Sequence, residues 1–259
     1  MTSDLLCFDS PLDNMMDEMR EVVRWYESSR PRSLQTTIGP SDSGTPCARR
    51  LAYKMLGVEK LNTSTDPWAA IIGTATHAWL DEAFAAANDR LPVKRWETST
   101  KIEIPGYMVG TIDLFDHATG TVIDHKVIGA TSMAKVKKGK TSEQYRVQGH
   151  LYGLGLIVAG FDVRNIAIGY WSRTGMLRDA QFWTEPYDEA VAEAALQRID
   201  ALRLITASGV DALATIPTAD GFCLYCPYYS PANTVIAQAC PGHVDPKISA
   251  QPAPDAITN

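Results

Sequence analysis

The 259-residue chain predicts a mixed α/β fold, a central β-sheet flanked by helices. Three observations carry this expectation: long segments whose apolar residues recur at helical spacing, short runs of β-branched residues between them, and Gly- or Pro-containing turns that divide those runs. Their order is helices, three strands, a helix, two strands and a helix.

A first helix is expected over about residues 12–28, where Met15, Met16, Met19, Val22, Val23 and Tyr26 make a stripe suited to packing on a core. A Ser-, Gly-, Pro- and Thr-rich loop over 38–46 leads into a short helix over 47–56 with a basic edge of Arg49, Arg50 and Lys54. Residues 68–87 read as a long Ala-rich helix. Strands over 98–104, 107–115 and 121–127 are separated by Pro105-Gly106 and by His117-Ala118-Thr119-Gly120, which predicts two successive hairpin connections. A lysine-rich loop over 130–141 precedes a helix over 142–159. Strands over 165–172 and 179–185 flank the turn at Thr174-Gly175, and a last long helix covers 188–207. Beyond Gly242 the chain carries Pro246, Pro252 and Pro254 and few apolar residues, a composition that predicts disorder. The expected division is an N-terminal helical region, 1–66, a core, 67–210, a cysteine segment, 211–243, and a disordered tail, 244–259.

Composition excludes several classes. Six Trp, ten Tyr and six Phe with 21% charged residues do not describe a disordered or fibrous chain. A net charge of −6 argues against coating nucleic acid by bulk charge, so any such partner must be held by local patches. There is no apolar run long enough to span a membrane, and acid near Met1 replaces the basic start of a secretory signal, so a cytoplasmic location is expected. Five cysteines, Cys7, Cys47, Cys223, Cys226 and Cys240, fit no disulfide framework of a small secreted domain. The spacing Cys223-x2-Cys226, with Cys240 following, suits a metal centre that still needs a fourth ligand.

Acidic residues interrupt two of the predicted strands. Asp124 and Lys126 share one face of their strand, and pairing through the turn before Gly120 brings Asp113 near Asp124. Two close carboxylates repel unless a cation neutralises them, and Mg²⁺ or Mn²⁺ takes oxygen ligands. The alternative is a pair of exposed strand ends with a surface ion pair. On the Ala-rich helix, Gly73 and His77 lie one turn apart, so backbone can approach where the imidazole projects.

The ordered set Gly73-x3-His77, Gly110-x-Ile112-Asp113, Ile123-Asp124-x-Lys126 and Gln148-x3-Tyr152 resembles the PD-(D/E)XK nuclease superfamily, in particular its RecB-like exonuclease branch. Cys47 before the core and Cys223, Cys226 and Cys240 after it look like the one-plus-three pattern of the iron–sulfur subgroup, which includes CRISPR-associated and phage exonucleases. The resemblance implies a restriction-endonuclease-like core on which the cysteine segment closes. It implies a metal-dependent DNA exonuclease acting on single-stranded DNA or DNA ends. His77, Asp113 and Asp124 would hold Mg²⁺ or Mn²⁺, with the His125 carbonyl as a further oxygen. Lys126 would position water or stabilise charge on phosphorus, and Gln148 and Tyr152 would touch the phosphate backbone or the metal site. Tyr152 could instead be a core aromatic.

Four thiolates suit either zinc or an iron–sulfur cluster. Pro227 and Pro241, each following a ligand, and the family pattern favour [4Fe–4S], with zinc as the alternative; Cys7 has no part in it. Lys135, Lys137, Lys138, Lys140 and Arg146 are candidate DNA-binding cations, as are Arg49 and Arg50, and Tyr225, Tyr228 and Tyr229 could stack bases or shield the cluster. No Gly-rich phosphate loop is present, so ATP-driven unwinding would require a helicase or recombination partner, and a homo-oligomer is compatible with the pattern. The competing readings are a non-catalytic DNA-binding module and a zinc-stapled cytosolic adaptor.

Overall fold

A computed structural model describes residues 15–30, 37–62, 66–219 and 223–243. In chain order its elements are α1 (Met15–Ser28), α2 (Pro40–Ser43), α3 (Ala48–Met55), α4 (Trp68–Asn88), β1 (Trp96–Thr98), β2 (Lys101–Ile104), β3 (Met108–Thr111), β4 (Leu114–Asp116) and β5 (Thr121–Ile128). They continue with α5 (Ala130–Val136), α6 (Glu143–Val158), β6 (Asn165–Ser172), β7 (Gln181–Pro186) and α7 (Glu189–Thr206), followed by short 3-10 turns at Val210–Thr215 and Cys223–Tyr225. The expected mixed α/β architecture is present: a five-stranded sheet, ordered β1-β4-β5-β6-β7, is flanked by helices. Neighbours are antiparallel except β5 and β6, whose parallel pairing requires the crossover that α5 and α6 supply. No described helix is long and apolar enough to cross a membrane.

Strand β5 is the centre of the molecule. It is covered on both faces, as the inner strands of α/β sheets are, yet it carries Asp124, His125 and Lys126 where such strands are ordinarily apolar throughout. The turn before it is fixed by Asp116, which accepts both Arg95 guanidinium bonds at 2.8 and 2.9 Å, the Ala118 N–H at 3.0 Å and the Thr119 hydroxyl at 2.9 Å. Gly120 closes that turn at φ +65°, where a side chain would also meet the Asp162 carbonyl oxygen.

The predicted hairpin around Pro105-Gly106 forms, but it is bent into two sheets. Its outer half, β2 and β3, pairs alone, whereas its base joins the main sheet as β1 and β4. The bend lies at Ser99, which takes φ +46°, and at Ile112 and Asp113 opposite it. Asp113 therefore leaves the strand ladder and turns its carboxylate toward β5. A second departure is α5. The stretch expected as a lysine-rich loop begins as a helix because Met133 is buried against Ile128, Tyr145, Ile168 and Tyr170. A third is α1, whose apolar stripe was expected to pack on the core. No described residue of α1 is buried, and Met15, Met16, Met19 and Tyr26 are exposed. Cys7 and the expected disordered tail, 244–259, lie outside the described residues.

Helix α6 lies close to the sheet because it presents small residues there. A Cβ on Gly149 would stand 3.0 Å from Ile166, and one on Gly155 would stand 2.6 Å from Ile102 Cδ1 and 2.9 Å from its Cβ. Gly155→Ala is expected to destabilise the fold by about 1–3 kcal/mol through overpacking, read as a lower urea midpoint; an unchanged midpoint would show that α6 can move outward at no cost.

Candidate active site and cysteine pocket

The register that pairs Leu114 with Ile123 places Asp113 beside Asp124, one step further along. Both carboxylates are then fixed by bonds from three elements. Asp113 Oδ2 accepts the backbone N–H of His125 at 2.7 Å, and its Oδ1 lies 3.2 Å from Nδ1 of His77 on α4. Asp124 Oδ1 accepts from Gln148 Nε2 on α6 at 3.0 Å, and Gln148 Nε2 also reaches the Tyr152 hydroxyl at 3.1 Å. Lys126 Nζ lies 2.9 Å from Asp124 Oδ2 and donates to Gln148 Oε1 at 3.2 Å. The alternative of exposed strand ends is excluded, because Asp124 is 2% and Lys126 5% exposed. Tyr152 packs in the main core, the second role weighed for it, and its hydroxyl accepts from Gln148 Nε2. Gly110 has a specific reason to be glycine: a Cβ there would stand 3.1 Å from the Tyr152 ring. Gly73 meets no protein group within 4 Å and instead lines the cleft, so no protein backbone makes the close approach expected there.

The opposite face of β5 supports the histidines. His125 stacks on Phe84 of α4, meets His77 edge-on, and accepts the indole N–H of Trp171 at Nδ1, leaving its own proton on Nε2. Burial depresses the His125 pKa to about 4, so this ring is neutral at physiological pH. The two acids diverge. Burial opposes ionisation of Asp113, but the His77 hydrogen bond and charge, with Lys126 and His125, hold its pKa below the ordinary value. For Asp124 burial prevails over the attraction of Lys126, the negative Asp113 adds to it, and the pKa rises to about 6.

These groups form the floor of a cleft of about 2410 Å³. That is well beyond the ~300–1,000 Å³ of small-molecule sites. Asp124 Oδ2 is buried and has no hydrogen-bonded partner, since the Lys126 ion pair lacks hydrogen-bond geometry; Asp81 Oδ1, one turn beyond His77, is another such atom in the cleft. Two carboxylates are the donor chemistry of a hard divalent cation, with the imidazole as a further nitrogen donor, and the buried Asp124 Oδ2 has the Lys126 ammonium beside it to offset its charge. Among the described residues, no three His, Cys, Asp or Glu side chains converge on a common ion position as placed.

The expected DNA-binding cations separate into groups. Lys135, Lys137, Lys138 and Lys140 lie outside the cleft lining, and Lys137 faces Asp179 at 3.6 Å. Arg146 lines the cleft but is bound to Glu185 at 2.6 Å and Glu143 at 3.1 Å. Arg49 donates to the carbonyls of Ile216 and Ala214, fastening α3 to the 3-10 turn after α7. Arg50 lines the cleft, and so does the exposed Tyr225. Two residues that the sequence reading did not single out face the acids' neighbours: Tyr145, whose ring lies 4.7 Å from Lys126 Nζ, and Trp171 behind His125. Tyr145 precedes Gln148 by three residues, a spacing that signals one helix face but no chemistry.

Cys47, Cys223, Cys226 and Cys240 line one small pocket together with Arg50, Tyr53 and Tyr229. All four are free thiols. Cys47 enters at the start of α3, Cys223 and Cys226 are joined by a turn, and Cys240 pairs with the Tyr229 strand segment through bonds of 2.7 and 2.8 Å. Asn62 donates to the carbonyls of Leu224 and Cys226, Tyr228 stacks on the buried Tyr53 with ring centres 5.0 Å apart, and Gly242 leaves room beside Tyr229 and Cys223. Burial pushes the Cys226 thiol up to about 11, so the pocket disfavours a lone thiolate. The four thiols line this pocket, but as placed no three of them form a group that could hold a metal ion.

No protein-family model matches the chain, and no curated protein matches it in sequence. Several solved structures match its fold. A protein designated SSO0001 is 17% identical, with a TM-score of 0.47 over 83% of this chain and 94% of its own. An alkaline exonuclease from Laribacter hongkongensis is 12% identical, with a TM-score of 0.48 over 70% and 92%. A phage-related exonuclease from Haemophilus somnus is 13% identical, with a TM-score of 0.42 over 62% and 82%.

The raised Asp124 pKa has a sign that can be checked. A group that binds its proton more tightly in the folded state contributes stability that is fully present below its ordinary value of 3.8 and is lost as pH rises through about 6. Asp113, held low, contributes in the opposite sense, above its ordinary pKa and lost in acid. Without divalent ions, the stability of the native chain relative to Asp124→Asn is therefore expected to fall between about pH 4 and pH 6. Paired urea titrations across that range measure it, and a constant difference would contradict the assignment.

Proposed function

We propose that this chain is a metal-dependent DNA exonuclease that hydrolyses phosphodiester bonds of single-stranded DNA or DNA ends, with a structural [4Fe–4S] cluster. The observation that carries the reading is that two bonded sets, His77 with Asp113 and Asp124 with Lys126, Gln148 and Tyr152, meet at β5 on the floor of a polymer-sized cleft. Its residues are those in which the sequence resembles the PD-(D/E)XK nucleases.

Asp113 and Asp124, with His77, would hold Mg²⁺ or Mn²⁺. When bound, the ion polarises the scissile phosphate and acidifies a water molecule. Lys126 supplies a fixed positive charge for the negative charge that grows on the phosphoryl oxygens. Gln148 sets the distance between Asp124 and Lys126 by bonding to both, and Tyr152 orients the Gln148 amide. His125 stays neutral behind the strand and uses its backbone N–H to aim Asp113. In the cysteine pocket, Cys47, Cys223, Cys226 and Cys240 would hold the cluster, a cross-link between the start of α3 and the last described segment. Arg50 lines both this pocket and the cleft, so the cluster side also forms part of the DNA-facing wall.

The native chain is expected to shorten end-labelled DNA with Mn²⁺, and Asp113→Ala and Lys126→Ala each to slow cleavage by about a hundredfold or more. Full activity in either variant would refute the site. Protein purified without oxygen should be brown, with broad visible absorbance lost in Cys226→Ser; a colourless protein carrying one zinc would refute the cluster.

A further inference from the structure

We infer that Tyr145 is a positioning residue for Lys126, its ring face standing against the ammonium that Asp124 and Gln148 also contact. The inference rests on the nuclease reading for its consequence in catalysis, but its geometry stands apart from that reading. Lys126 Nζ has the Asp124 carboxylate at 2.9 Å, the Gln148 carbonyl oxygen at 3.2 Å and the Tyr145 ring centre at 4.7 Å. An ammonium over an aromatic face is attracted to the ring's negative quadrupole, most strongly where water is excluded. The Lys126 side chain is 6% exposed, so water is excluded here.

The ring is itself held. Tyr145 is buried among Ile128, Met133, Ile168 and Tyr170, which come from β5, α5 and β6. It sits one turn before Gln148, so a single face of α6 delivers both the amide and the ring to the same ammonium. Lysine has a long stem with many rotamers, and a carboxylate alone leaves a point charge free to swing about it. Ring, amide and carboxylate together confine the ammonium to one place, where a phosphoryl oxygen could meet it without reorganisation. The contact also gives a reason for helix α5, which exists through the burial of Met133 beneath this ring.

The property required is the aromatic face and not the hydroxyl, so Tyr145→Phe should keep it and Tyr145→Leu should lose it. The expected result on end-labelled single-stranded DNA with Mn²⁺ is native kcat in the Phe variant and a loss of about tenfold or more in the Leu variant, with KM little changed. Thermal melting establishes that both variants are folded. A second readout needs no activity: in lysine-labelled protein, the Lys126 ε-methylene protons, assigned by their disappearance in Lys126→Arg, should resonate upfield from ring-current shielding in the native and Phe forms and return to the ordinary position in the Leu form. Native kcat in a folded Leu variant, or an equal loss in both variants, would overturn the proposal. If the native chain cleaves no DNA, the nuclease reading fails, and the upfield resonance alone decides the positioning: its presence supports it and its absence overturns it.

Discussion

A buried ion pair between Asp124 and Lys126 is the constraint around which this structure is arranged. Two opposite charges on the central strand are almost sealed from water, and removing charge from water costs several kcal/mol per ion unless geometry and added hydrogen bonds offset it. The surroundings supply those offsets one by one. Gln148 bonds to both partners, Tyr145 covers the ammonium, and Tyr152 fixes the amide. All three sit on α6, so this helix must lie close to β5. Gly149 lets it approach the neighbouring β6 at Ile166, and Gly155 lets it approach Ile102 of β2. A stability argument alone would favour apolar residues at 124 and 126.

The bent hairpin solves a related problem. A carboxylate kept in regular ladder position would take its direction from the sheet, whereas Asp113 lies just outside β4, where the chain passes from one sheet to the other. That freedom lets it reach the His125 N–H on one side and His77 on the other. Its neighbour Asp124 has more burial and fewer donors. The result is two adjacent acids with pKa values pushed apart, one held below its ordinary value and one raised to about 6. Such a pair accommodates a cation without requiring two full negative charges side by side in its absence.

Much of this was legible in the sequence, and the reasons differ by element. Strand alternation placed Asp124 and Lys126 on one face, turn chemistry at Gly120 brought Asp113 to them, and helical spacing joined Gln148 to Tyr152. These are local regularities of period 2 and 3.6, and they survive folding. What failed were inferences about what an element meets. The α1 stripe has helical period but no core against it among the described residues; that the lysines of 135–140 lie outside the cleft lining is a separate matter that a charge run leaves open. Tyr145 passed unnoticed because a tyrosine before a glutamine has no signature until Lys126 is seen above its ring.

The sequence by itself determined the mixed α/β order and the register-level meeting of two acids and a lysine. Only the tertiary structure decided that Asp124 is buried and Asp113 half-buried, that Asp124 and not Asp113 has the raised pKa, that Arg49 and Arg146 are committed to protein partners while Arg50 faces the cleft, and that residues as distant in sequence as Cys47 and Cys240 line one pocket. The physical reason is range. Periodicity and turn geometry are set by neighbours along the chain, whereas desolvation, ion pairing and cavity shape are sums over groups that become neighbours only when helices close over the sheet.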